Sequence, residues 1–479
     1  MRLAAQYRSN LKRIDALDAL RGLAVLAMVL SGVIPFNGTL PPWMYHAQFP
    51  PPTHQFNPKI AGLTWVDLVF PIFIFSLGTA IPLALSRRLS QGWTNLEISL
   101  GIVKRGFLLG TFAIVLQHFR PTVINPEASS EKWQLALIGF AILFLMFVQL
   151  PRVIPKWINL AMNLIGWGAA IAILTQIQYP HNAKLPEFSL YRSDIILLVL
   201  TNIIIFTSFI WLFTRHHPQF RAGLLAVLFA LMLSKSAGGW MSDLLSISPI
   251  PWLYRFEYLK YLFIAIPGTL IGDEIVSYTQ INDEYIPKTW NRFRLGGIVI
   301  LMVLIILNLV IGLQSRLLPQ TTGISLILLI LSYRLLKDPS HPLEELLYQM
   351  YQWGIYGLIL GLAFEPYQGG IKKDPTTMSY FFITLAIAIF LLIILTILID
   401  SFDQTLWFQL FIDTGKNPMI GYLAFANLLW PILELNGWTP KIEALTNTPF
   451  LGFLRGLSYT LMIALFVSLC TRLKLFWKT

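Results

Sequence analysis

The chain has 479 residues, of which 56% are hydrophobic and only 12% are charged. Soluble domains carry roughly twice that share of charged residues, so the composition excludes a disordered chain, a coiled coil and an ordinary soluble enzyme. The net charge is +11. No basic run accompanies a polar face, which argues against nucleic-acid binding, whereas an excess of Lys and Arg is typical of the cytoplasmic loops of membrane proteins.

Metal sites and cleavable leaders are not indicated by the sequence. Cys470 is the single cysteine, which excludes an internal disulfide and a cysteine-rich metal site. No two histidines have helical metal-ligand spacing, so we expect no metal. Residues 1–16 are polar and basic, and the apolar run that follows lacks a small-residue cleavage site, so we expect no signal peptide.

Apolar runs long enough to cross a bilayer recur along the whole chain. Runs of about 17–25 apolar residues predict membrane helices. The candidates are 17–36, 64–86, 98–118, 133–150, 157–178, 194–214, 221–242, 258–278, 296–314, 321–336, 349–366, 379–400, 417–434 and 452–471. The weakest are 321–336, which is short, and 417–434, which contains Pro418 and Asn427. We therefore expect an all-α polytopic membrane protein of about 12–14 helices, forming one domain over residues 1–479.

The distribution of Lys and Arg predicts the orientation. Basic residues are more numerous in the segments that face the cytoplasm when the N-terminus is inside. The largest contributions come from Arg2, Arg8, Lys12, Arg13, Lys288, Arg292, Arg294, Arg472, Lys474 and Lys478. Both termini, including residues 1–16, are therefore expected in the cytoplasm, and the proline-rich loop 37–63 is expected outside. Proline at this density prevents helix and strand but permits a rigid, extended path.

Two histidines and one carboxylate form the first candidate site. His46 and His54 lie in the outer loop, shortly before Asp67 near the start of the second span. A histidine near a carboxylate is the usual arrangement for general base catalysis, because histidine titrates near neutrality. Either histidine could instead bond only to loop backbone, an alternative that weighs more for His46. Pro71 removes the hydrogen bond to the Asp67 carbonyl and favours a bend there, although Asp67 could simply favour the helix dipole.

Polar residues in three other spans are further candidates, because a charge in a membrane helix costs about 2.5–3.5 kcal/mol. Arg21 either pairs with Asp18, one turn earlier, or holds an anionic group such as a cofactor phosphate. Lys235 either snorkels to the surface or binds an anion inside the bundle. Arg21 and Lys235 are thus the candidate cofactor-binding residues. Asn417 lies in DTGKNPMIGYL, which indicates either a broken helix lining a cavity or an ordinary helix start with Pro418 in its first turn.

Four stretches of the sequence resemble one known family. RIDALDALRGLAVLAMVL followed by GLTWVDLVFPIFIFSLG resembles the opening of the heparan-alpha-glucosaminide N-acetyltransferase family of multi-pass membrane acyltransferases and its bacterial relatives. IKKDPTTMSYFFIT at 371–384 and GKNPMIGYL at 415–423 are similar to that family's KKLWTSSY and GMNP stretches. The second-helix motif is the most specific of the four. Their order and spacing extend the resemblance over most of the chain.

The resemblance implies an enzyme that takes an acetyl group from cytoplasmic acetyl-CoA and passes it to a sugar amine or hydroxyl on the far side. The family's active histidine precedes the GLT..D motif, so His54 is the first candidate and His46 the reserve. That histidine would accept the acceptor's proton or carry the acetyl group itself. Asp67 would orient the imidazole, and Asn417 would stabilise the developing oxyanion.

The sequence departs from the family at two places, and it also fits two other classes of function. Ser31 and Gly32 stand where the family has an asparagine, and 194–242 and 321–366 contribute about four additional spans. A transporter of a sugar or lipid-linked glycan also suits many spans with a broken helix, and a structural component of an envelope assembly is the third interpretation. The expected location is a bacterial inner membrane, with the lipid bilayer and a glycan acceptor as partners and a homodimer left open.

Overall fold

The computed structural model describes residues 14–36, 40–127, 129–180, 186–281 and 290–478. Several basic residues used for the predicted orientation lie outside the described residues, as do positions 37–39 of the predicted outer loop. Those basic residues are Arg2, Arg8, Lys12, Arg13 and Lys288.

Nearly all regular structure in the described residues is helical. The helices of the first half are α1 (Asp15–Val33), α2 (Trp65–Ser90), α3 (Asn95–His118), α4 (Pro121–Ile124), α5 (Ser130–Phe147), α6 (Lys156–Leu174), α7 (Ile195–Thr214), α8 (Pro218–Ala237) and α9 (Trp240–Ser246). Those of the second half are α10 (Leu262–Gln280), α11 (Arg292–Gln314), α12 (Leu318–Leu336), α13 (Pro342–Ala363), α14 (Met378–Thr396), α15 (Thr405–Lys416), α16 (Pro418–Ala424), α17 (Trp430–Leu435), α18 (Thr439–Leu445) and α19 (Pro449–Arg472). Two short strands, β1 (Val148–Gln149) and β2 (Phe476–Trp477), pair antiparallel.

Twelve helical segments of the described chain are long and apolar enough to cross a membrane, which confirms the predicted all-α polytopic membrane protein. They are α1, α2, α3, α5, α6, α7, α8, α11, α12, α14 with its π-helical end, the segment from α16 to α17, and α19. Both of the weakest predicted spans are among them. The predicted spans 258–278 and 349–366 form α10 and α13, helices of 19 and 22 residues. Polar side chains, such as Asp273 in α10 and Gln349 in α13, lower their hydropathy.

Helix α14 lies at the centre of the bundle. Its span has a mean hydropathy of 3.2 and 89% of it is buried. A helix that is apolar on every side is stable only when other helices surround it. Helices α1, α2, α10, α11 and α13 pack around it. The first turn of α14 reaches the start of α2, where the Tyr380 hydroxyl donates a 2.7 Å hydrogen bond to the Asp67 carbonyl.

Helices α1 and α15 approach each other backbone to backbone. A Cβ at Gly22 would lie 1.8 Å from the Phe411 carbonyl oxygen, and one at Gly415 would lie 1.8 Å from the Asp18 carbonyl oxygen. Only glycine therefore fits at these two positions, as at other close helix crossings in membranes. The approach fixes the Arg21 side chain, whose Nη1 donates to the Gly415 carbonyl at 3.2 Å.

The chain from α15 to α17 is a broken helix, and α16 begins with Pro418 in its first turn, so each of the two interpretations of this segment describes part of the structure. Asn417 separates α15 from α16 with non-helical backbone angles of φ −137° and ψ 54°. A π-helical turn, Phe425–Leu429, then separates α16 from α17. Such irregular backbone is tolerated at membrane depth where protein surrounds it or where it lines a cavity. By contrast, α2 continues through Pro71 and Pro82 as one helix.

Candidate active site

His46, not His54, is the histidine that contacts Asp67. The His46 Nδ1 lies 2.7 Å from the Asp67 Oδ1. The carboxylate side chain is 3% exposed, whereas the His46 side chain is 34% exposed, so the ring is held from one side and open on the other. The short contact to an acceptor-only carboxylate assigns the ring proton to Nδ1. The His46 Nε2 then carries the lone pair.

The Asp67 carboxylate is fixed by backbone and side-chain donors on both sides of the loop. Its Oδ2 accepts 3.1 Å hydrogen bonds from the Ala47 N–H and the Thr64 N–H, and it lies 3.1 Å from the Thr64 hydroxyl, which donates to the Tyr45 carbonyl at 2.7 Å. Thr64 and Asp67 form a capping box at the start of α2. Because Ala47 follows His46 directly, one carboxylate orients both the imidazole and the backbone that carries it.

A lysine from a distant loop lies against the same imidazole. The Lys373 Nζ is 3.3 Å from the His46 Nδ1 and 3.4 Å from its Nε2. Gln48 holds the two loops together, since its side chain accepts a 2.9 Å hydrogen bond from the Asp374 N–H and donates one to the Asp374 carbonyl. Burial lowers the pKa of Lys373, while the Asp67 and Asp374 carboxylates act in the opposite direction.

His54 has a different environment from the one expected of it. Its ring packs edge-on against Tyr45, with centroids 4.4 Å apart, and against Phe36 at 5.3 Å. Both of its ring nitrogens are buried without a hydrogen-bond partner among the described residues, and its backbone has a positive φ of 48°. His54 therefore takes part in the aromatic packing of the loop, and His46 is the histidine that contacts the Asp67 carboxylate.

His46 and Lys373 face a cavity of about 400 Å³, which we call the His46 chamber. Its walls include Ser31 and Gly32, at the position where the family resemblance implies an asparagine. Arg120 also lines it. The Ser31 hydroxyl donates a 2.8 Å hydrogen bond to the Met28 carbonyl, so its proton is used within α1.

A second cavity of about 400 Å³, the Arg21 chamber, lies toward the opposite ends of the same helices. Five basic residues line it, and no described lining residue is acidic. They are Arg21, Arg88, Arg105, Lys416 and Lys478. The Arg21 Nη1 also pairs with Asp18 Oδ1 at 3.3 Å, as one of the two interpretations of Arg21 predicted. A cluster of cations in a partly apolar cavity attracts polyanionic ligands.

The two chambers share part of their walls inside the bundle, and we call this shared region the junction. Val25, Met28, Ile196 and Tyr422 line both of them. The Tyr422 hydroxyl lies 2.9 Å from Asp194 and 3.2 Å from the Arg120 guanidinium. Ionic and hydrogen-bonding groups therefore stand at the junction between a basic cavity and a cavity that contains a histidine.

Asn417 and Lys235 lie apart from His46. The Asn417 Nδ2 donates to the Leu475 carbonyl at 2.7 Å, and its Oδ1 accepts from the Trp477 N–H at 3.2 Å. The side chain thus ties the break in the helix to β2, next to the Arg21 chamber, and does not face the imidazole. Lys235 pairs with Glu257 and does not line either chamber.

Sequence reasoning missed the cations that complete the site. Lys373 lies in the IKKDPTTMSYFFIT stretch, but nothing in local spacing connects position 373 with position 46. Arg105 had a readable signal, since it lies within the third apolar run, where a charge is expensive, whereas Arg88 lies between two predicted spans. Arg120 follows the end of α3, where a basic residue normally faces solvent or headgroups.

The fold and the two cavities define an all-helical, multi-pass membrane protein with a histidine–aspartate pair at one end and a basic cavity at the other. The chain belongs to the family described as "Domain of unknown function (DUF5009)", which matches residues 13–275. It is also similar to the heparan-alpha-glucosaminide N-acetyltransferase of Mus musculus, with 32% identity over 130 residues. That match covers 26% of this chain, which spans 17% of the length of this curated relative. The family match includes Arg21, His46 and Asp67.

Proposed function

We propose that the chain transfers an acetyl group from acetyl-CoA, bound at the Arg21 chamber, to a sugar amine or hydroxyl at the His46 chamber. The observation that carries this proposal is the junction of the two chambers, one lined by five cations and the other by a carboxylate-oriented histidine. Acetyl-CoA is a polyphosphate with a long neutral arm that ends in the reactive thioester. Its phosphates suit the cations, and its arm suits the apolar side chains of Val25 and Met28, which line both chambers.

The proposed chemistry assigns one task to each side chain. The His46 Nε2 takes a proton from the acceptor nitrogen or oxygen as that atom attacks the thioester carbonyl. Asp67 keeps the other ring proton on Nδ1 and stabilises the imidazolium. The Lys373 ammonium stabilises the negative charge that develops on the carbonyl oxygen. The carbon–sulfur bond then breaks, and the thiolate takes the proton from His46, leaving CoA and the acetylated sugar.

Lys373 takes the role that the sequence suggested for Asn417. Its Nζ lies within 3.4 Å of both imidazole nitrogens, so an oxyanion beside Nε2 lies within its reach. Both amide atoms of Asn417 bind the backbone of the C-terminal strand instead. We therefore propose that Asn417 positions Trp477 and Lys478 on the Arg21 chamber.

The proposal includes an orientation. Acetyl-CoA is a cytoplasmic metabolite, so the Arg21 chamber faces the cytoplasm and the His46 chamber faces the outside, in keeping with the excess of Lys and Arg predicted for cytoplasmic segments. We propose the inner membrane of a bacterium as the location. The acetyl group then crosses the membrane through the protein while CoA stays on the cytoplasmic side.

The test uses the full chain in liposomes with acetyl-labelled acetyl-CoA and glucosamine. His54→Ala is the matched control for His46→Ala, because both change a histidine of the same loop. We expect labelled sugar from the intact chain and from His54→Ala, and none from His46→Ala. Equal transfer by all three proteins contradicts the role of His46. Absence of donor turnover by the intact chain contradicts the acetyltransferase, and sugar uptake without acetylation favours the transporter instead.

A further inference from the structure

A second cleft adjoins the His46 chamber. It encloses about 430 Å³ between the end of α1, the π-helical turn, α18 and the start of α19, and we call it the Trp430 cleft. Gly32, Phe425 and Trp430 line both the cleft and the His46 chamber. The cleft and the His46 chamber are therefore adjacent.

One wall of the Trp430 cleft is aromatic. The rings of Phe425 and Trp430 are stacked with centroids 6.1 Å apart and planes 18° apart. Tyr459 continues this wall, with its ring 5.8 Å from that of Phe425. Flat aromatic faces bind the C–H faces of saturated rings while leaving polar substituents free at the edge.

The opposite wall supplies polar groups. The Arg455 Nη1 lies 4.0 Å from the Glu443 Oε1 and donates to the Thr446 hydroxyl at 3.0 Å. The Glu443 side chain is 60% exposed, so its carboxylate is open to a ligand. The Thr439 hydroxyl, also in the lining, is buried and has no hydrogen-bond partner in the part of the chain that the structure describes. The cleft thus offers a carboxylate acceptor, a guanidinium donor and a hydroxyl opposite an aromatic face.

We infer that the Trp430 cleft is the acceptor subsite and that it holds the pyranose ring of a hexosamine-type glycan end. Aromatic faces with a few convergent polar groups are the usual composition of a small-molecule site. A pyranose has an apolar face for Trp430 and hydroxyls for Glu443 and Arg455. A lipid chain is disfavoured, because it offers no hydrogen-bond partner to the Thr439 hydroxyl and would cover the exposed Glu443 carboxylate. This inference rests on the proposed function, since it supplies the acceptor for that reaction.

The experiment measures the kinetics of acetyl transfer to methyl glucosaminide by the full chain in liposomes. Glu443→Gln keeps the size of the side chain and removes its charge, and Trp430→Phe reduces the aromatic face. Glu131→Gln is the matched control, because Glu131 lines a different cleft. For Glu443→Gln and Trp430→Phe, we expect the KM for the sugar to rise about 10-fold, which corresponds to about 1.4 kcal/mol. The KM for acetyl-CoA should remain within about twofold of that of the intact chain, a change of about 0.4 kcal/mol.

An unchanged sugar KM in both cleft variants overturns the acceptor subsite while leaving the acetyltransferase intact. A separate measurement does not depend on turnover: saturation-transfer NMR with millimolar methyl glucosaminide and the detergent-solubilised chain. Weaker saturation transfer in Glu443→Gln than in Glu131→Gln supports the subsite even if acetyl-CoA proves not to be the donor. Equal saturation transfer in these two variants overturns it. Glu443 is exposed, so Glu443→Gln decides the matter if Trp430→Phe does not fold.

Discussion

Replacing Asp67 by asparagine removes the charge that orients His46 while preserving the shape of the side chain. Asp67 accepts hydrogen bonds from His46 at 2.7 Å and, at 3.1 Å each, from the Ala47 N–H and the Thr64 N–H. Asparagine offers one oxygen and one N–H₂ group in place of two oxygens. If the oxygen keeps the Ala47 and Thr64 donors, the N–H₂ group faces His46. The His46 Nδ1 then becomes an acceptor and Nε2 carries the proton, so the general base is lost.

We expect Asp67→Asn to lower kcat strongly and the free energy of unfolding only modestly. Removing a general base or its correct tautomer lowers kcat about 10²–10⁴-fold. The unfolding free energy should fall by only about 1–3 kcal/mol, because the bonds to Ala47 and Thr64 survive and one charge-assisted bond is lost. Proteoliposomes with labelled acetyl-CoA measure the first quantity, and thermal unfolding in detergent measures the second.

Thr64→Val is the control for Asp67→Asn. It removes a hydroxyl that lies 3.1 Å from the same carboxylate and donates to the Tyr45 carbonyl, but it leaves the contact between Asp67 and His46 intact, so we expect less than about a 10-fold loss in kcat. A folded Asp67→Asn protein with more than half of the normal kcat refutes the reasoning. In that case Asp67 only caps α2, and the histidine is oriented by other groups.

Three further predictions concern the cations and the helix crossing. Lys373→Met should lower kcat about 10²-fold, and Lys373→Arg should restore part of it. Because burial lowers the pKa of Lys373 and the ammonium is the active form, the intact chain should lose activity with rising pH at a lower pH than an ordinary lysine would cause. A pH–rate profile of Lys373→Met with an unchanged alkaline limb contradicts this. Arg21→Ala should raise the KM for acetyl-CoA about 10-fold or more without changing that for the sugar, and equal effects on both substrates in steady-state kinetics count against the Arg21 chamber as donor site. Gly415→Ala should destabilise the chain by about 1–3 kcal/mol in thermal unfolding, because its Cβ would lie 1.8 Å from the Asp18 carbonyl oxygen. The control Gly168→Ala should have little effect, because there is open space for a Cβ at that position. Equal melting temperatures for the two variants contradict the close crossing of α1 and α15.

The fold was largely predictable because membrane helices are long, continuous apolar runs. Even the doubtful spans 321–336 and 417–434 formed helices, since Pro418 starts a helix instead of interrupting one. The predicted spans 258–278 and 349–366 form α10 and α13, which are not among the twelve candidate membrane helices of the described chain. Their polar residues lower the hydropathy, although α10 is extensively buried against its neighbours.

The site was predictable only where its residues lie close in sequence. Asp67 and the two histidines were visible as one cluster, because 21 positions at most separate them. The choice between His46 and His54 depends on loop geometry, and the Ala47 N–H bond to Asp67 that decides it has no signal in residue type. Lys373 reaches His46 across 327 positions, through the hydrogen bonds between Gln48 and Asp374. No periodicity or local motif encodes such a contact.

The most direct test of the central claim, that an acetyl group passes between the two chambers, uses proteoliposomes whose orientation is established by protease accessibility of the C-terminus. Labelled acetyl-CoA is supplied only to the face of the Arg21 chamber, and glucosamine only to the face of the His46 chamber. We predict labelled acetylglucosamine in the glucosamine compartment, free CoA in the other, and no product when the two substrates are exchanged. Product formed with both substrates on one face, or equally in either arrangement, contradicts transfer through the junction of the two chambers.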